Sequence, residues 1–513
     1  MKSLKLVALV VSFLCSVNVF CQSKTFDNVI DVEVRSTVEI VNNKQIVGYA
    51  IFYKVDKMKK SALFRLSILD ENLKEIGNNE FEGPKDLILK KAVYESERIL
   101  LSFYDEDKKD GYNYFVKVFD LKGKEKGLIA YEPEKAKKGM FGAAIAASLE
   151  NIYEGTDNVE GKGFVSIHQS KAKTGGIDIQ MISLDGKLKW EQTITADKRD
   201  RSDLYLLGST TNTILLFQMD RGGMMDRDAD IFLVGLNTDS GKERFKKPLD
   251  INDFSYEPML IKKTNDGKVK LVSTMADVSD KFATAKPKGI SISDLNDITG
   301  ELKTVKDFGY QKDLGNVLEM KSESKSEDGY IKAHDVILMS DGSLVIVGEF
   351  FRRTVSALGV AGALLQGGRN SAALTQATIE DMFLLRIDNT MKAKSLEKVE
   401  KDKERVSLPG DGMSIGLMAR WLSQIHAFGY MYTDEGMDGK QKTILARGAF
   451  GEERYGTVAI TVDEKKGFTT KRFNLTKEKK VSYFISRGKP GFVMVMKYNA
   501  KEKTIALNLE KVN

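Results

Sequence analysis

Apolar and polar positions alternate along most of this chain, and one phrase recurs. An alternating strand runs into a tight polar turn, and a second strand rich in Lys and Glu follows. It reads FVKVFDLKGKEKGLIAY at 115–131, IQMISLDGKLKWEQTI at 179–194 and VMVMKYNAKEKTIALNL at 493–509. A period of two with β-branched and aromatic residues predicts strands rather than helices. The turns centre on Asp70, Asp120, Asp185, Asn237, Asp294, Asp388, Asp463 and Asn499. Asp, Asn and Gly recur there because tight turns often need positive φ. A hairpin repeated about eight times predicts an all-β β-propeller of seven or eight mostly four-stranded antiparallel blades. Eight turns favour eight, and seven results if the first and last segments share a blade.

Three segments interrupt the pattern. Residues 137–155 and 355–382 are rich in Ala and Gly, with apolar residues at helical spacing, which predicts short helices. The second of these sits between two strands of one blade and explains the long gap between Asp294 and Asp388. Residues 401–416 are charged and then Gly-rich. The segment 29–41 reads as an unattached strand, and pairing it with the three-stranded last unit would close the ring and remove two open edges.

The first residues have another origin. Lys2 and Lys5 precede an apolar run at 6–14, the length of a secretory signal core and too short to span a bilayer. Residues 1–21 are therefore read as a signal peptide and 22–513 as a single propeller domain. The chain is then secreted across an inner membrane, to the periplasm or the exterior. Cleavage before Gln22 removes Cys15 and Cys21, which leaves no thiol for a disulfide or a thiolate metal site. Removing Lys2 and Lys5 lowers the net charge from +6 to +4, and the basic residues are interleaved with acids. No basic stripe for nucleic acid is present.

Few motifs carry chemistry. His168, His334 and His426 lie in three separate units, each in a strand-like run and without metal-ligand spacing. GMSIG at 412–416 places Ser414 where a nucleophile elbow would. The run before it reads as loop and the residues after it as hairpins, so the motif lacks its context. Asp226, Asp228 and Asp230 alternate as at the start of a calcium loop. Ile231 replaces the required Gly, and Asn237 stands where the bidentate Glu belongs. A weak Ca²⁺ site is the most that run predicts, and no other cofactor is expected. Glu349, Arg352 and Arg353 end a strand beside the Ala/Gly-rich insertion and form a candidate binding cluster. The two Ala/Gly-rich insertions are candidate contacts for a partner or, peripherally, for a membrane.

Residues 49–76, 342–353 (GSLVIVGEFFRR) and 380–388 (EDMFLLRID) resemble a poorly characterised family of secreted, propeller-like bacterial envelope proteins with no established activity. The resemblance implies fold and compartment only. The expected function is a non-enzymatic binding or scaffold protein of the cell envelope, presenting loop faces to a protein, peptide or glycan. The alternative is a propeller hydrolase or lyase acting on glycan or peptide through paired carboxylates.

Overall fold

Side-chain acceptors at the turns set the repeat. A computed structural model describes residues 22–32, 37–42, 45–85, 87–107, 111–131, 155–169, 177–196, 201–222, 228–264, 267–322, 325–326, 328–355, 375–408, 413–434, 441–450, 453–463, 467–473 and 478–512. Two turn chemistries alternate within it. In the first, Asp70 accepts the amides of Asn72 and Lys74, both at 2.9 Å. Asp120 and Asp388 take their second and fourth following amides in the same way. In the second, Asn237 accepts from Asp239 at 2.8 Å and Ser240 at 3.1 Å. Asn296 and Asn499 repeat that pattern. The left-handed residue falls three places after Asp, at Leu73, Gly123 and Met391. It falls four places after Asn, at Gly241, Gly300 and Lys503. The acceptor of the fifth blade is thus Asn296, while Asp294 lies inside the strand Gly289–Leu295. In the third blade Ser183 takes the acceptor position, and Asp185 sits within the turn.

These turns join strands within eight four-stranded antiparallel sheets, the blades of a β-propeller. Blade 1 spans residues 37–84, blade 2 88–131, blade 3 155–194, blade 4 201–248, blade 5 250–309, blade 6 330–407 and blade 7 430–473. Blade 8 joins residues 481–511 to 23–26. Blades 5 and 6 each carry a short fifth strand, Asp250–Ile251 and Glu404–Ser407.

Blades 1 and 8 belong to one compact unit, and blades 2 to 7 to a second one covering residues 86–474. In the first unit the core joins Phe26, Tyr49, Tyr53 and Leu69 to Met496 and Leu507. In the second, the middle strand Leu344–Val355 is apolar on both faces over most of its length. Along Leu344–Val355, Leu344, Ile346 and Phe350 pack with Val272, Ile292 and Phe308 of blade 5. The intervening Val345 and Val347 pack with Ile444, Val458 and Ile460 of blade 7. Successive side chains point to opposite faces, so a strand between two sheets is a continuous apolar run. Outer strands lack that second cover, and Leu188–Ile194 (LKWEQTI) is mostly exposed.

The strand that completes blade 8 is Ser23–Phe26, paired to Thr504–Lys511 with Ser23 opposite Asn508. The sequence reading placed this strand at 29–41. Thr37–Asn42 instead begins blade 1, opposite Gln45–Lys57. The closing segment is anchored through Leu509 N–H to the Gln22 carbonyl at 3.1 Å and Tyr498 Oη to the Ile30 carbonyl at 2.7 Å.

The interruptions also resolve differently. Residues 375–382, read as helical, form part of the long strand Thr375–Ile387. Pairing with Leu344–Val355 on one side and Glu404–Ser407 on the other overrides the local Ala content. Residues 404–407 are strand, and a helix, α1 (Ile415–Gln424), begins inside the third insertion and continues past it. Residues 1–21, 137–154 and 356–374 lie outside the described residues. Among those described, no helix is long and apolar enough to cross a membrane.

Phe26 is almost fully buried, its ring 5.4 Å from that of Tyr53. Phe26→Ala is expected to cost about 3 kcal/mol in equilibrium denaturation, through lost burial and the cavity left behind. A cost below about 1 kcal/mol would show that the closing strand is not part of the core.

Candidate functional site

The charged interior of the second unit is organised around α1. Ser414 caps this helix, its Oγ accepting the Leu417 amide at 3.1 Å. Leu417, Met418, Trp421 and Leu422 form the apolar stripe at helical spacing and are buried. They pack in one core with Tyr205 and Phe217 of blade 4 and Phe351 of blade 6. The motif GMSIG therefore does have a helix after it, contrary to the sequence reading, but its serine serves as the N-cap.

Arg420 leaves the helix between blades 4 and 5. Its guanidinium lies 4.7 Å from the Tyr205 ring and 4.6 Å from the Phe217 ring. It donates to the Pro258 carbonyl and sits 3.5 Å from Glu257 Oε1. Glu257 in turn lies against the first helical turn. A Cβ on Gly416 would come within 2.0 Å of both carboxylate oxygens, so a side chain there would displace the acid from this position. The final Gly of GMSIG thus makes room for a half-buried acid beside a helix N-terminus, which favours negative charge.

Lys332, on the first strand of blade 6, completes the cluster. Its Nζ donates to the Met259 carbonyl at 3.3 Å. Burial and the nearby Arg420 charge lower its pKa to about 7, partly offset by Glu257. Burial raises Glu257 against the opposing pull of Arg420 and Lys332. The groups border a cavity of about 20 Å³, lined also by Phe351 and Ile415, with room for about one water. Lys332, Glu257 and Arg420 thus bring charges of both signs to the lining of one small cavity.

A second cluster involves Glu349, predicted to bind a ligand. It is fully buried. Its carboxylate accepts from Lys401 Nζ at 2.5 Å, Gly429 N–H at 3.0 Å and Tyr430 N–H at 2.8 Å. His334 Nε2 lies 3.3 Å away, its ring stacked 5.1 Å from Tyr430. Burial alone would raise the Glu349 carboxyl; His334 and Lys401 outweigh it and hold it at about 2. Burial lowers His334 against the opposing pull of Glu349. Glu349 thus ties blade 6 to the entry of blade 7.

The other predicted residues take separate partners. Arg352 Nε lies 2.7 Å from Glu380, which also holds Lys403 at 2.9 Å. Arg353 donates to the Met413 carbonyl. Asp230 opens the strand Asp230–Asn237, opposite Asp220, and Asp228 accepts the Ala229 amide at 3.1 Å. Asp226 lies outside the described residues. His426 is not in a strand; it follows α1 at φ 53°. Among the described residues, side chains able to hold a metal gather in blade 3, at His168, Asp178 and Glu191. Sequence reasoning missed that group and the Lys332–Glu257–Arg420 cluster, because strand pairing and one helix bring together residues far apart in the chain.

Blades and interior together define a β-propeller protein whose internal charges are engaged by one another and by the backbone. The chain belongs to a family of unknown function, DUF6770, whose model matches residues 1–513. No curated protein matches it. Solved structures similar to it include the WD40 domain of SCAP from fission yeast, at 9% identity and TM-score 0.38, over 96% of this chain and 99% of that one. Another is the β-propeller domain of the Trilobed protease from Pyrococcus furiosus, at 12% identity and TM-score 0.37, over 84% of this chain and 96% of that one. A third is the quinohemoprotein alcohol dehydrogenase ADHIIG from Pseudomonas putida HK5, at 11% identity and TM-score 0.39, over 96% and 76%.

Lys332 generates a pH prediction. The unfolded chain keeps this proton to about pH 10.5, whereas the folded chain releases it near 7. Between those values the unfolded state binds more protons, so stability rises with pH. Relative to Lys332→Met, the wild type is expected to gain stability from about pH 7 to pH 9, by up to about 1.4 kcal/mol per unit. Parallel stability–pH curves for the two proteins would contradict the assignment.

Proposed function

We propose that this protein is a non-enzymatic binding or scaffold protein of the bacterial cell envelope, exported by the leader at 1–21, whose loop faces engage a protein, peptide or glycan. The observation that carries this reading is the use made of the buried acids. Glu95, Asp178, Asp203, Asp220, Asp335, Glu349, Glu380 and Asp434 are buried, and each has internal partners. Glu95, for example, accepts Asn158 Nδ2 at 2.8 Å and the Gly161 amide at 2.9 Å. Asp335 takes Lys262 Nζ at 2.9 Å. Paired-carboxylate hydrolysis needs two acids facing a space that admits a sugar ring or peptide. The cavity beside Glu257 has room for about one water.

A scaffold reading also suits the contrast between the blades' apolar interior and their polar outer strands, which leaves recognition to the loops. The protein is expected to bind isolated envelope glycan or peptide saturably, without releasing new reducing ends or amino termini on prolonged incubation. Multiple-turnover release that Glu257→Gln abolishes would overturn the reading in favour of a hydrolase.

A further inference from the structure

Blade 3 carries three potential ligands on one face. His168 on Gly163–Gln169 lies directly opposite Asp178 on Ile177–Ser183. Asp178 lies opposite Thr193 on Leu188–Ile194, and Glu191 stands two residues before Thr193 on the same strand. Directly paired residues share a face, and so do residues two apart. His168, Asp178 and Glu191 therefore project together, and their ligand atoms all lie within 4.8 Å of one another.

The supporting contacts are those a metal site needs. Thr193 Oγ1 donates to Asp178 Oδ1 at 2.6 Å. Gln180 Nε2, the cross-strand partner of Glu191, donates to Glu191 Oε1 at 2.8 Å. Such outer donors orient ligating carboxylates. His168 is 2% exposed and its ring packs 5.8 Å from that of Tyr114. The Tyr114 hydroxyl is itself within 3.2 Å of Ser166 Oγ. The imidazole is thus held in place, while the exposed Glu191 leaves one side open to solvent or a further ligand.

We infer that His168, Asp178 and Glu191 bind one divalent transition-metal ion. One imidazole with two carboxylates is a mixed nitrogen and oxygen set suited to Zn²⁺ and its neighbours, whereas Ca²⁺ and Mg²⁺ prefer oxygen alone. Two carboxylates neutralise the charge of a divalent ion. Ligand bonds of about 2.1 Å at tetrahedral angles put ligand atoms about 3.4 Å apart. A pair at the 4.8 Å limit thus closes by up to about 1.4 Å, and the exposed Glu191 side chain is free to adjust toward the other two.

The test is titration of chelator-stripped protein with Zn²⁺ by calorimetry, with Co²⁺ absorption and thermal melting alongside. Expected are one Zn²⁺ per chain, a melting temperature that rises with Zn²⁺ concentration, and no comparable response to Ca²⁺. Glu191→Gln is expected to weaken binding at least about tenfold while leaving the metal-free melting temperature unchanged. His168→Ala is expected to abolish binding. Should that variant fail to fold, Glu191→Gln decides alone. Absence of binding at millimolar Zn²⁺, equal affinity in Glu191→Gln, or an equal response to Ca²⁺ would overturn the inference.

Discussion

A middle strand such as Leu344–Val355 must be covered on both faces, and much of the second unit's packing follows from that constraint. A single four-stranded sheet cannot bury two apolar faces, so each blade depends on its neighbours. Leu344–Val355 shows the arithmetic of faces: Ile346 and Phe350 go to one core, Val345 and Val347 to another. At roughly 25 cal/mol per Å² of apolar area removed from water, such two-sided burial is the dominant favourable term. It also forces polar groups inside, because strands this long cannot avoid them.

Those polar groups are the second layer of the account. Taking a carboxylate out of water costs several kcal/mol unless donors replace the solvent. Glu349 meets this with a lysine, a histidine and two backbone amides drawn from blade 6, the segment after it and blade 7. Helix α1 plays a comparable role for blades 4, 5 and 6, carrying Arg420 to Glu257 and the Pro258 carbonyl. Perturbed ionisation in this interior thus arises from groups that join blades. Perturbed groups often mark active sites, but structural ion-pair networks shift pKa values too.

Much of this was legible in the sequence, for local reasons. Asp120, Asp388, Asn237 and Asn499 announce turns because their side chains bond amides two to four residues ahead. Eight turns gave the repeat its count, although the acceptors of two of them are Ser183 and Asn296 rather than Asp185 and Asp294. The closing strand was misplaced because Ser23–Phe26 is short and its partner, Thr504–Lys511, lies at the far end of the chain. Helix α1 was missed because its Gly-rich approach reads as loop. In the region of 375–382, Ala content suggested helix, yet two flanking strands impose extended geometry. His168 looked isolated because Asp178 and Glu191 become its neighbours only through strand register, which no sequence motif records.

The central claim is that buried charge joins the blades, and amide hydrogen exchange at Gly429 and Tyr430 tests it most directly. Both amides donate to Glu349 and lie in the link between blades 6 and 7. They are expected to exchange as slowly as the middle-strand amides of Leu344–Val355, through global unfolding only. Exchange as fast as that of the exposed outer strand Leu188–Ile194 would show that the Glu349 cluster opens freely, and would contradict the account.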